Sequence, residues 1–377
     1  DGEEGTRLAA AGDPVPAAET HVVQPHIIAI MNESWADFEE FGNLSLTDSV
    51  MEYIPSLDAA KGHAYTSVFG AGTSASEFEF LTGNTMAFLP PGSIPYQQYI
   101  LEPSETMASV LKDNGYTCLA FHPGERSSWQ RNQAYPLLGF DEFKCGEDMN
   151  VEAAESHGYI NDQSDFNQLI WEFENRDPGE KLFLFNVTMQ NHGGYAMSYT
   201  NFAQEIYVTN MSTVYPKANR YLSLVKRSDD AFRELTEYFS QVTEPTIICM
   251  FGDHLPSIED EFYEELFGTS LDNLTTEQQQ LRYMTPFVIW ANYDIPEATL
   301  NQISANYLST LVLQTAKLPL TQYNKYLASL YQKLPIINTV GYVDSDNNYY
   351  THSESSKYDD LLYQYHCLVY NLSLIHI

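Results

Sequence analysis

The chain has 377 residues, 44% of them apolar and 14% aromatic, which is core material for one large α/β domain or two ordinary ones and too much for a disordered polymer. With 18 Lys+Arg against 51 Asp+Glu the net charge is −33, which argues against nucleic-acid binding and against docking on anionic lipid through a basic patch. The Cys count of 4 is too low, and Cys118, Cys145, Cys249 and Cys367 are too spread, for a disulfide scaffold or a CxxC zinc site.

Residues 1–24 form a Gly/Ala/Pro/Glu stretch that reads as a linker or tail, opening on Asp1 rather than Met, so a membrane anchor ahead of it is expected. Within the chain no apolar stretch approaches the ~20 residues needed to span a bilayer, and the segment as given reads as soluble. Residues 25–337 read as the catalytic domain. PHIIAIMNES (Pro25 to Ser34) is a short apolar run closed by polar residues, the pattern of a buried strand. Similar runs are TCLAFHP from Thr117, LFLFNVT from Leu182, TIICMFGD from Thr246 and PFVIWAN from Pro286. Between them, helical patterns run from Ser104 to Asn114, Ser164 to Asn175 and Lys217 to Phe239. This alternation predicts an α/β fold with a doubly wound, mainly parallel sheet flanked by helices. Residues 338–377, Tyr-rich with a DSDNN turn, read as a small α+β subdomain, and the closing SLIHI reads as non-native text.

Ligands of such sheets bind beyond the carboxyl ends of the strands, and those ends carry Asn32 and Glu33, His122, Thr188, and Asp253 with His254. In FGDHLP, the Asp253 carboxylate and the His254 imidazole can ligate one divalent cation. Alone, the pair is equally a turn-capping Asp beside a surface His. Glu33, at the end of the first strand, is the third candidate ligand, with a solvated loop Glu as its plain alternative. The fourth is Thr73, placed by GAGTSASEF near a helix N-terminus, where simple N-capping is the competing explanation. Metal coordination would convert this weak hydroxyl into a nucleophile.

NES after the first strand, GTSASEF, HPGERSSWQR and FGDHLP, in this order over roughly Pro25 to Leu318, resemble the lipoteichoic acid synthase and phosphoglycerol transferase family of the alkaline phosphatase and sulfatase superfamily. The resemblance implies one cation, manganese with magnesium or zinc as alternatives, held by Glu33, Thr73, Asp253 and His254, with Thr73 as nucleophile. It implies a glycerophosphate pocket formed by His122, Trp129 and Arg131. It also places His192, in NVTMQNHGGY, in that pocket, protonating the leaving oxygen or stabilising negative charge. The family often has Pro where this chain has Gly194.

The activity implied is transfer of glycerophosphate from phosphatidylglycerol to a hydroxyl acceptor, a lipoteichoic acid-type polymer or a glycolipid or glucan, through a phospho-threonine. The domain would then work on the extracellular face of the bacterial cytoplasmic membrane, tethered by segments outside this chain. Two other functions fit the sequence, a phosphodiesterase on the same fold and a non-catalytic envelope binding module. A CxPxR motif is absent, so formylglycine chemistry lacks its nucleophile, and no further Asp/His cluster suggests a second metal. Asp37 and Glu77 read as solvated or helix-capping carboxylates, and His63 and His366 as surface or half-buried residues.

Overall fold

The computed structural model describes residues 24–374; the linker stretch, up to residue 23, and the last three residues of SLIHI lie outside the described residues. The strands in chain order are β1 (His26–Asn32), β2 (Ala60–Tyr65), β3 (Tyr116–His122), β4 (Glu142–Cys145), β5 (Glu155–Ser156), β6 (Tyr159–Ile160), β7 (Lys181–Val187), β8 (Thr246–Gly252), β9 (Met284–Ala291), β10 (Ala298–Ser304), β11 (Ile336–Ile337), β12 (Tyr342–Val343) and β13 (Tyr349–Tyr350). Eight of them form one sheet in the order β10-β2-β9-β8-β1-β7-β3-β4. All its neighbours pair in parallel except β9, which runs against both β8 and β2. The mainly parallel, helix-flanked sheet is therefore present, with one strand reversed.

Both faces of the sheet are covered, which is why its central strands read as continuous apolar runs. Along β1, Ile27, Ala29 and Met31 point into one core and Ile28 and Ile30 into the other. The first core takes the helices Thr73–Thr82, Met107–Asp113 and Ala305–Thr315, and the second takes Asp162–Glu174, Pro216–Ser240 and Asp260–Phe267. Phe80, on the Thr73–Thr82 helix, lies 4.6 Å from the Phe251 ring and 5.9 Å from that of Phe185. A fully buried aromatic of this kind contributes about 2 to 3 kcal/mol, so this helix is held to the centre of the sheet by packing rather than by propensity.

The C-terminal segment packs on the first core. β11, β12 and β13 make a small antiparallel sheet, and in the Asp359–Leu374 helix Tyr365 donates to the Gly83 carbonyl at 2.8 Å. Tyr365 also receives Asn306 Nδ2 at 2.8 Å, which ties it to the Ala305–Thr315 helix. Among the described residues no helix is long and apolar enough to cross a membrane.

Candidate active site

The site forms where the ends of β1, β7 and β8 meet, since parallel neighbours bring their carboxyl ends to one edge. After β1 the chain turns through Ser34, at φ 49°, and the two N–H groups at the turn are tied to the neighbouring strand ends. Glu33 N donates to Thr188 Oγ1 at 3.0 Å and Ser34 N to Asp253 Oδ1 at 2.7 Å. Asp253 Oδ1 also accepts from His254 N at 2.8 Å, while no hydrogen bond reaches Oδ2, which is buried. Ser34 Oγ donates to Glu33 Oε1 at 2.8 Å. His254 Nδ1 is 2.9 Å from the Leu255 carbonyl, an acceptor only, so Nδ1 carries a proton and Nε2 faces the carboxylates. That Nε2 lies 3.2 Å from Asp253 Oδ2 and 3.7 Å from Glu33 Oε1.

One ligand atom from each of Glu33, Asp253 and His254 lies within 4.8 Å of the others, and all three residues are buried. Three lone-pair groups crowded together out of water, one with an orphaned oxygen, need positive charge between them. Burial, with the Glu33 charge adding to it, raises the Asp253 pKa. Burial lowers that of His254, but Asp253 and Glu33 outweigh it and the imidazole is raised. A mixed carboxylate and imidazole set of this kind fits a divalent cation.

Thr73 completes the edge. It is the first residue of the Thr73–Thr82 helix, and Gly72, at φ 97°, takes the N-cap position, so the Thr73 hydroxyl is not spent on capping. Ser76 Oγ, in the same first turn, donates to the Asp253 carbonyl at 2.6 Å and anchors the helix to the end of β8. The Thr73 hydroxyl favours the ionised form of Asp253.

A cavity of about 510 Å³ opens over this cluster, and Glu33, Thr73, His122, Trp129, Arg131, His192 and His254 all line it. His122, at the end of β3, has Nδ1 2.8 Å from the Val187 carbonyl, which leaves Nε2 as an acceptor. Burial, followed by the Arg131 charge, holds this imidazole well below its usual range, so the neutral form persists. Trp129 and Gln130 both sit at positive φ, 57° and 60°, a strained turn that presents the Trp129 ring at the wall. His192 stands at the rim with Nδ1 3.0 Å from Tyr159 Oη. Two residues on, Gly194 has φ 108°, which proline cannot adopt, so the loop takes a path closed to the residue common there in the family resembled.

One expectation is corrected. Glu77 neither caps nor meets solvent: it is fully buried and receives Arg131 Nε at 3.0 Å, Arg131 Nη2 at 2.6 Å, Tyr96 Oη at 2.9 Å and Tyr135 Oη at 2.7 Å. Burial disfavours the Arg131 charge, and Glu77 more than offsets this. Asp37 does cap, accepting from Glu39 N at 3.1 Å at the start of a short 3-10 turn. Two cavity-lining residues, Tyr159 and Tyr195, carry no signal in the sequence, whereas Ser34, which holds Glu33 and Asp253, is marked by its place directly after Glu33.

A family model described as Sulfatase matches residues 25–319. A candidate cyclic beta-1,2-glucan modification protein of Rhizobium meliloti (strain 1021) is 32% identical over 341 residues, or 86% of this chain and 51% of that relative. The chain thus spans about half the length of that relative. Two solved structures share the fold. The phosphoglycerol transferase GacH of Streptococcus pyogenes, in complex with sn-glycerol-1-phosphate, aligns with a TM-score of 0.75 and 19% identity over 94% of this chain and 88% of that one. The lipoteichoic acid synthase LtaP of Listeria monocytogenes aligns with a TM-score of 0.67 and 14% identity over 94% and 91%.

Proposed function

The chain belongs to the sulfatase family, and from that premise we propose that it is a metal-dependent phosphoglycerol transferase. Its donor is phosphatidylglycerol and its acceptor a hydroxyl of a carbohydrate or of a glycerophosphate polymer. What carries this reading is the single cavity in which a helix-starting Thr73, free of capping duty, meets an electron-rich cluster on one side and His122, Trp129, Arg131 and His192 on the other. A glucan acceptor is supported by the name of the 32% identical relative, and a glycerophosphate donor by the ligand of the GacH structure.

Glu33, Thr73, Asp253 and His254 would hold one cation, manganese in our reading. When bound, it supplies Lewis acidity that lowers the Thr73 hydroxyl pKa and stabilises charge on the phosphoryl oxygens. In the first half-reaction, Thr73 Oγ1 bonds to phosphorus and the ester bond to diacylglycerol breaks. The leaving oxygen takes up a proton, a role we give to His192 at the rim of the cavity. His122 Nε2 accepts a hydrogen bond from the glyceryl hydroxyls, Arg131 donates to the headgroup, and Trp129 covers its carbons. In the second half-reaction, an acceptor hydroxyl attacks the glycerophospho-Thr73 ester, loses its proton, and frees Thr73. This donor places the working site at the outer face of the bacterial envelope.

The test is incubation of the chain and manganese with headgroup-labelled phosphatidylglycerol, with and without cyclic glucan. Label transferred to glucan, and label trapped on wild-type protein but not on Thr73→Ala, is expected. Release of free glycerophosphate alone would make the protein a hydrolase, and an active Thr73→Ala would move the nucleophile elsewhere.

A further inference from the structure

Glu77 lies one turn beyond Thr73 on the same helix, and its surroundings are those of an anion held in the protein interior. Oε1 takes the Arg131 Nε and Nη2 donors at 3.0 and 2.6 Å, and Oε2 takes the hydroxyls of Tyr96 and Tyr135 at 2.9 and 2.7 Å. Four donors, two from the guanidinium and two phenolic, converge on this carboxyl. Arg131, 1% exposed, reaches the cavity wall with Glu77 directly behind it. A guanidinium free of such a partner would clamp any phosphate brought near. This one is already half of a buried ion pair, so an arriving anion would meet the Glu77 field as well and find only the guanidinium's remaining donors. An uncharged hydroxyl can use those donors without that penalty.

We infer that Glu77 is a positioning residue that sets headgroup selectivity: it fixes and neutralises Arg131, so that this end of the cavity accepts an uncharged, hydroxyl-bearing headgroup and discriminates against one that ends in a second phosphate. This rests on the transferase reading. It also links selectivity to the nucleophile, because the residue that holds Arg131 rides on the helix that begins with Thr73.

The experiment compares diacylglycerol release from phosphatidylglycerol and from phosphatidylglycerol phosphate, which differ by one terminal phosphate. Wild type is expected to favour phosphatidylglycerol in kcat/KM by about tenfold or more. Glu77→Gln is expected to narrow that ratio by about tenfold, chiefly through a lower KM for the phosphorylated lipid, while Glu77→Asp, which keeps the charge, retains the ratio. A merely structural Glu77 would depress both lipids alike. A folded Glu77→Gln with the wild-type ratio overturns the inference. If that variant does not fold, the wild type alone decides, because equal use of the two lipids overturns it as well. Should wild type turn over neither lipid, the transferase reading fails, and calorimetry with glycerol phosphate and glycerol bisphosphate tests the selectivity by itself. Tighter binding of the bisphosphate to wild type would then refute it, and tighter binding of the monophosphate would support it.

Discussion

Ser34 N donates to Asp253 Oδ1 at 2.7 Å, joining the end of β1 to the end of β8 across 219 residues of chain. With His254 N on the same oxygen, Oδ1 is committed to backbone and Oδ2 is left bare beside Glu33 and His254. Asp253→Asn keeps the acceptor for both N–H groups and removes only the charge. Manganese affinity should fall by about 100-fold or more, and the metal-free protein should melt a few degrees higher because the cost of a buried charge, and with it the repulsion from Glu33, is gone. Calorimetric titration and thermal melts check both, and unchanged manganese binding would remove Asp253 from the ligand set.

Gly124 is needed for space. A Cβ there would sit 2.5 Å from His122 Nε2, the imidazole atom left to accept from substrate. Gly124→Ala should therefore push His122 off its position and raise KM about tenfold, with melting temperature nearly unchanged. Wild-type kinetics in this variant would mean that His122 Nε2 does not contact the substrate.

How much of this was readable follows from where each signal is stored. β1, β3, β7 and β8 are buried on both faces and show as apolar runs, so their polar ends could be picked out, and with them Glu33, His122, Asp253 and His254. AKGHAY, EFKC and ATLNQIS carry no such run, because β4 and β10 are partly exposed edge strands and β2 pairs between β9 and β10 with small and polar residues, and all three were missed. PFVIWAN reads the same in either direction, so its reversal was invisible. Glu77 was misjudged because its partners Tyr96, Arg131 and Tyr135 lie 19, 54 and 58 residues away, beyond any local pattern.

Stability should carry a pH signature at Glu79. Burial raises this carboxyl to about 7, against the pull of donors from Ser67, Met86 and Thr85, and Oε2 has no partner. The folded state thus holds the proton more tightly than the unfolded chain, whose carboxyl titrates near 4.5. Its contribution to folding is fully present at low pH and is lost as pH rises through about 7. Glu79→Gln mimics the protonated acid and should be the more stable protein near pH 8, by up to about 3 kcal/mol, with little difference near pH 5. Urea denaturation at the two pH values measures the gap, and an equal gap at both would exclude titration of Glu79 as its cause.

Tyr159 is expected to orient His192. Its hydroxyl lies 3.0 Å from His192 Nδ1 and the two rings are 5.0 Å apart, so Tyr159→Phe removes the hydrogen bond while leaving the ring contact in place. If His192 serves the leaving or attacking oxygen, losing the partner that holds its other nitrogen should lower kcat by about tenfold and leave KM within about twofold. His192→Gln should cost more, about 100-fold, because it removes the proton carrier itself. Single-turnover labelling of Thr73 separates the two half-reactions: a slowed labelling step assigns the pair to departure of diacylglycerol, and a slowed transfer step assigns it to the acceptor. A Tyr159→Phe protein as fast as wild type in both steps would show that His192 is oriented by other contacts.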